Sequence, residues 1–241
     1  MPANPLTAQL PAPGWLPPGE RIYAIGDVHG CAGRLAALHA LVREDLAARP
    51  VPRPFLLHLG DYVDRGPDSA GVLALLRGSL PPGLPGLQLR GNHDQMMLDA
   101  LAPGASGAAL DLWLMNGGGA ALASYGAAAG PGLAPGAVPA ADLAWLGARP
   151  LRHAAGGYLF VHAGIAPHRA LDDQRPQDLL WIREPFLSWR GRLPAVVVHG
   201  HTPSETPQLR PHRIGLDTGA VFGGSLTCGV LEGRTIGFLQ A

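Results

Sequence analysis

In the stretch HLGDYVDRGPDS, residues 58–69, Asp61 and Asp64 stand three residues apart and Arg65 follows the second. A lone Asp-rich turn needs no special account, because Asp hydrogen-bonds its own backbone and favours such places. Here the same kind of cluster recurs. AIGDVHG carries Asp27 and His29, LRGNHD carries Asn92, His93 and Asp94, FVHAG carries His162, and VVHGHTP carries His199 and His201. Oxygen and imidazole donors without thiolate suit divalent ions such as manganese, iron, zinc or nickel. Asp27, His29, Asp61, Asn92, His162 and His201 are too many ligands for one ion. With one carboxylate shared they suit two ions roughly 3.5–4 Å apart, the spacing of two-metal hydrolytic sites.

These residues need elements that bring them together, and each cluster follows a short apolar run. RIYAIGD (21–27), PFLLHLGD (54–61) and LQLRGN (87–92) read as strands. Between and after them, helical spacing of apolar residues predicts helices over 31–50, 69–80 and 94–102, with Asp68 or Ser69 capping the second. That alternation implies parallel pairing with right-handed crossovers. In an open α/β sheet the crevice beyond the carboxyl ends of the strands is where ligands bind. Residues 103–150 are rich in Ala, Gly and Pro, and LDLWLMNGGGAALASYG is their one helix-like part, expected to pack over or beside the sheet. Further strands are expected over 158–164, 195–201, 213–219, 226–233 and 235–240, the last two as a hairpin. Residues 1–20 read as an extended, disorder-prone leader, and 21–241 as a single domain.

Composition removes several classes of function. The 241 residues carry equal numbers of acidic and basic groups, so no basic surplus points to nucleic acid or an anionic membrane. No apolar run approaches the ~20 residues of a membrane helix. Cys31 and Cys228 lack a spacing motif and read as reduced thiols of a cytoplasmic protein.

The set GDVHG, GDYVDRG, GNHD, VHAG and HGHTP resembles that of the calcineurin-like metallophosphoesterases, and in particular the bacterial and bacteriophage lambda-type serine/threonine phosphoprotein phosphatases. The resemblance runs from residue 26 to about 219. It implies a four-layer α/β (α+β) fold, a two-sheet β-sandwich core flanked by helices. It also implies that Asp27 and His29 hold one ion, that Asp61 bridges, and that Asn92, His162 and His201 hold the second. His93 becomes the general acid, oriented by Asp64. Arg65 binds the substrate phosphate, together with Asn92 and, in LLWIREPF, Arg183.

The expected reaction is hydrolysis of phosphoserine and phosphothreonine monoesters, with phosphotyrosine as a further substrate, by direct attack of a hydroxide held between two ions. Partners are then phosphorylated proteins, peptides or small phosphoesters. The alternatives are a dinucleoside polyphosphate (diadenosine tetraphosphate) hydrolase, whose motifs are similar, and a non-catalytic scaffold on the same fold. The remaining residues have plainer readings. His58 is a core histidine, Asp94 a helix-start carboxylate and Trp113 a packing residue. His199 supports the site from behind, Asp217 is either a turn residue or a similar support, and His39, His153, His168 and His212 belong to the surface.

Overall fold

The computed structural model describes residues 6–78, 84–128 and 136–241. Two sheets pack face to face. In the first, β2 (Glu20–Ile25), β3 (Arg53–His58) and β4 (Gly86–Gln88) run parallel, each followed by a helix: α1 (Ala32–Ala48), α2 (Ser69–Arg77) and α3 (Asn92–Ala100). The hairpin β10 (Thr227–Glu232) and β11 (Thr235–Gln240) extends this sheet beside β2, and β1 (Leu10–Pro11) closes its edge, in the order β1-β11-β10-β2-β3-β4. The second sheet holds β5 (Arg152–Ala155), β6 (Tyr158–Val161), β7 (Val196–His199), β8 (Gln208–Arg210) and β9 (Arg213–Gly215), in the order β5-β6-β7-β9-β8.

Alternation of side chains along the strands produces the layers. Tyr23, Ile25 and Leu56 face the helices, where they meet Leu35, Leu38 and Val42 of α1 and Val72 of α2. Ile22, Ala24 and Leu57 face the other sheet and meet Tyr158, Phe160, Val196 and Val198. The next residues of those strands, Leu159, Val161 and Val197, face outward and pack with Leu179 of α7 (Pro176–Trp181) and with Phe186. Three separate apolar layers thus hold four layers of structure together.

Several elements differ from the sequence expectation. The segment taken as a loose leader is tied down from residue 6. β1 pairs antiparallel with β11, Thr7 N–H donates to the Phe238 carbonyl (3.0 Å), and Leu16 is buried between the sheets. Its prolines suggested disorder, but an edge strand tolerates them because one side of its ladder is unused. Residues 1–5 lie outside the described residues. The helix-like stretch after 103 becomes α4 (Gly107–Trp113), a wide turn at Leu114–Gly118 and α5 (Gly119–Ser124), and a further helix, α6 (Ala140–Gly147), follows. These pack on α2 and α3 through Trp113, Leu122 and Leu146. Strands β5 and β8 have too little apolar patterning to be read from sequence. His39, read as a surface residue, is buried on α1 with its Nε2 2.9 Å from the Nε2 of His58. Among the described residues no helix is long and apolar enough to cross a membrane.

Candidate active site

Five strands end on one edge between the sheets. Asp27 and His29 follow β2, Asp61 to Arg65 follow β3, Asn92 and His93 open α3 after β4, His162 follows β6 and His201 follows β7. The turns that carry them are strained. The only non-glycine residues with positive φ among the described residues are His29, Asp61, Asp64, Arg65 and His201. Such conformations cost of the order of 1–3 kcal/mol each and persist only where the surroundings enforce them. Asp94 is one enforcer. Fully buried, it accepts from the backbone N–H groups of Gly91 (2.8 Å), Asp61 (2.9 Å) and Tyr62 (2.9 Å), which locks the turn after β3 to the start of α3. Gly60, at φ 106°, permits the same approach, since a Cβ there would lie 2.5 Å from the Gly91 nitrogen.

The structure brings together all six residues read as ligands. Asp61 sits at the centre, with one carboxylate oxygen 3.4 Å from His29 Nε2 and the other 3.4 Å from His162 Nε2. Asn92 Oδ1 lies 2.8 Å from both His162 Nε2 and His201 Nδ1. Asp27 is reached through the backbone, its carboxylate accepting from the His201 N–H (3.0 and 3.1 Å). Two groups of donor atoms within mutual reach of one ion emerge, His29–Asp61–His93 and Asp61–His162–His201, with Asp61 common to both.

Hydrogen-bond bookkeeping indicates that these atoms want a cation. The Nδ1 of His29 faces the Val63 carbonyl (2.9 Å) and that of His162 the Leu59 carbonyl (3.0 Å), so each neutral ring carries its proton there and turns a bare Nε2 inward. At His162 that lone pair meets two acceptors, Asn92 Oδ1 and Asp61 Oδ1, with no proton to share. Burial alone would suppress a charge on His162, yet Asp61 and, more weakly, Asp27 outweigh it and push the imidazole up to about 9. Burial and Asp217 likewise push the Asp27 carboxyl up, well above its usual range. A net demand for positive charge, in an oxygen and nitrogen donor set without thiolate, fits divalent ions.

Beside this centre, His93 Nδ1 lies 2.8 Å from Asp64 Oδ2, and Trp113 Nε1–H donates to Asp64 Oδ1 at 2.8 Å. Burial is the largest influence on both partners: it holds the His93 imidazole down to about 4 and raises the Asp64 carboxyl to about 8. Between those values the pair is neutral overall and keeps one acidic proton. Arg65 Nη1 is 2.8 Å from His29 Nε2, its backbone N–H donates to Gly117 O (3.2 Å), and its guanidinium lies 5.5 Å from the Phe222 ring centre. Only glycine fits at 117, where φ is 102° and a Cβ would be 2.9 Å from Arg65 Cγ. Arg183, which is exposed, donates from Nη2 to the His201 carbonyl at 3.4 Å, so it too reaches the edge of the centre.

Trp113 and Asp94 are the two residues whose part sequence reasoning understated. Both read as structural, and only the fold shows that one holds Asp64 and the other the backbone of Asp61. His199 is buried behind the site against Phe186, with its Nδ1 at 2.9 Å from the Gly200 carbonyl. Asp217 accepts from the Gly219 N–H at 3.0 Å.

Paired sheets that deliver carboxylates, imidazoles and an amide to one crevice, with arginines at its rim, define a metal-dependent hydrolase of anionic esters. The chain belongs to the calcineurin-like phosphoesterase family, whose model matches residues 20–226. It is 35% identical over 215 residues to a serine/threonine-protein phosphatase 1 of Salmonella typhimurium, covering 86% of this chain and 90% of that one. It is also 39% identical over 150 residues to a symmetrical bis(5'-nucleosyl)-tetraphosphatase of Methylococcus capsulatus, covering 61% of this chain and 44% of that protein. Among solved structures, a putative diadenosine tetraphosphatase superposes with a TM-score of 0.65 at 26% identity, over 92% of this chain and 93% of that one. The protein is therefore a phosphoesterase.

Proposed function

We propose that the protein is a phosphoprotein phosphatase that removes phosphate from serine and threonine side chains, with phosphotyrosine as a secondary substrate. The observation that carries this reading is the buried Asp64–His93 pair, steadied by Trp113 and flanked by Arg65. A serine or threonine alkoxide is a poor leaving group and needs a proton as it departs. A nucleotide leaving from a polyphosphate departs on a phosphate oxygen and needs that proton far less. A dedicated acid pair is thus worth most against a monoester of an alcohol. The similarity to the Salmonella phosphatase over nearly the full length of both chains supports the same reading.

In this reading Asp27, His29, Asp61, Asn92, His162 and His201 would hold two divalent ions, manganese foremost, Asp61 being the carboxylate common to both donor groups. When bound, such ions would supply positive charge to the phosphate and lower the pKa of water toward neutrality. The chain's own groups do the rest. Arg65, Asn92 and Arg183 hold the non-bridging oxygens, a task suited to the planar fork of a guanidinium. His93 passes the pair's proton to the leaving oxygen, and Asp64 fixes the imidazole in the orientation to do so.

The test compares inorganic phosphate release from a phosphoserine peptide with nucleotide release from diadenosine tetraphosphate, each at saturating Mn²⁺. A higher kcat/KM for the peptide is expected; faster dinucleotide cleavage, the reading favoured by the tetraphosphatase relatives, would overturn the assignment. Replacing His93→Asn should leave metal content intact and slow the phosphopeptide far more than a nitrophenyl ester.

A further inference from the structure

The opposite end of the second sheet carries a feature that phosphoester hydrolysis does not use. Two adjoining cavities of about 420 and 450 Å³ open at the N-terminal ends of β6, β7 and β9, and share Arg190, Gly191, Pro211 and His212 as walls. Strand β7 separates them from the catalytic edge. At ~3.3 Å per residue, the wall at Val196 stands roughly 15–20 Å from His201.

The walls are cationic and flat. Arg192 lines the first cavity and Arg210 the second, beside the shared Arg190, and among the described residues no carboxylate lines either. Arg21, Arg49, Arg53, Arg77, Arg152 and Arg169 each meet an acidic side chain. Among the described residues, the Arg190 and Arg192 side chains meet none and make no hydrogen bond, and that of Arg210 reaches only Gln208 Oε1 at 3.4 Å. Arg213, half-buried behind them, is held below its usual range by burial and by Arg210, with Glu184 as the one acid acting on it. In a chain whose formal charge is zero, this is a local excess of positive charge. An indole stands at each end: Trp15, 45% exposed, lines the first cavity, and Trp189 lines the second. Trp189 Nε1 and His212 Nε2 are buried without a hydrogen-bond partner among the described residues, and such groups ordinarily have one.

We propose that this cleft binds a nucleoside phosphate, with the phosphates on Arg190, Arg192 and Arg210 and the base against an indole. Guanidinium forks suit phosphate oxygens, and indole faces suit any base. The cavities, of about 420 and 450 Å³, have the volume of small-molecule sites, which are about 300–1,000 Å³, and that concave volume suits a nucleotide better than an acidic peptide lying on a flat surface.

Nucleotide binding in this cleft is independent of phosphatase activity at the other edge of the sheet. Fluorotryptophan-labelled protein, loaded with zinc so that it stays diamagnetic, is titrated with ADP, adenosine and inorganic phosphate while the five indole ¹⁹F signals are followed. Assignment comes from single Trp→Phe variants. ADP is expected to shift Trp15 and Trp189 saturably. Replacing Arg190→Ser together with Arg192→Ser should weaken that response tenfold or more, with turnover of a nitrophenyl ester unchanged. Shifts confined to Trp113 and Trp181, which flank the catalytic centre, would place ADP there and overturn the proposal. So would no response, a response untouched by the arginine replacements, or inorganic phosphate binding as tightly as ADP.

Discussion

Trp113→Phe isolates the hydrogen bond that steadies the proposed acid. The replacement keeps an aromatic ring in the layer between α4 and the helices around it and removes the Nε1–H that reaches Asp64 Oδ1 at 2.8 Å. Among the described residues nothing else donates to that oxygen, and Asp64 is fully buried. A buried acceptor left without a partner costs about 1–3 kcal/mol. Burial already raises the Asp64 carboxyl to about 8, and the Trp113 bond is the main influence opposing that rise. Without it the carboxyl holds its proton more tightly and orients His93 less firmly. If the whole cost falls on the transition state, at ~1.4 kcal/mol per decade kcat drops about 5- to 150-fold. The assay measures kcat on a phosphoserine peptide and on nitrophenyl phosphate at saturating Mn²⁺, with a urea melt to show that the variant is folded at assay temperature. The peptide rate should fall within that range, whereas the nitrophenyl rate, whose leaving group needs little protonation, should fall less than about threefold. Equal losses on the two substrates, or no loss on the peptide, would refute the chain of reasoning from Trp113 through Asp64 to His93.

Asp61→Asn, at the residue shared by both donor groups, should lower metal content by at least one ion per chain, and full occupancy by elemental analysis would contradict the shared role. Leu57→Ala empties a fully buried site between the two sheets and should destabilise the fold by about 2–5 kcal/mol in urea unfolding. Burial, then Arg43, holds His39 down to about 4. Since an unfolded histidine titrates near 6.5, the unfolded state binds more protons below that value and stability is lost as pH falls. Between pH 7 and pH 5 His39 should cost about 2 kcal/mol, worked from those two values; a His39→Gln variant should lose correspondingly less over the same interval, and an equal loss in both proteins would show the buried pair to be irrelevant.

Much of this protein was legible before any coordinates. Parallel β2, β3 and β4, their helices and the terminal hairpin follow from apolar runs and helical spacing, because buried strands and half-buried helices leave those periods in the chain. The candidate ligands were legible for a related reason: each stands within a few residues of a strand end and within two residues of a glycine, so local sequence fixes both type and place. Only tertiary structure decided how those ends converge. The common position of Asp61 between His29 and His162 depends on two sheets that meet face to face, and nothing local encodes that meeting. The same holds for Trp113, which lies 49 residues from the carboxylate it supports, and for His39, whose partner sits on the neighbouring strand. Residues 6–16 were misread for the inverse reason. Their prolines weaken every local preference, and their order comes from backbone bonds to β11 and its turn, more than 200 residues away. Local composition dictates what a segment prefers and which chemistry it carries; the burial and pairing that fix a side chain's partner are properties of the packed whole.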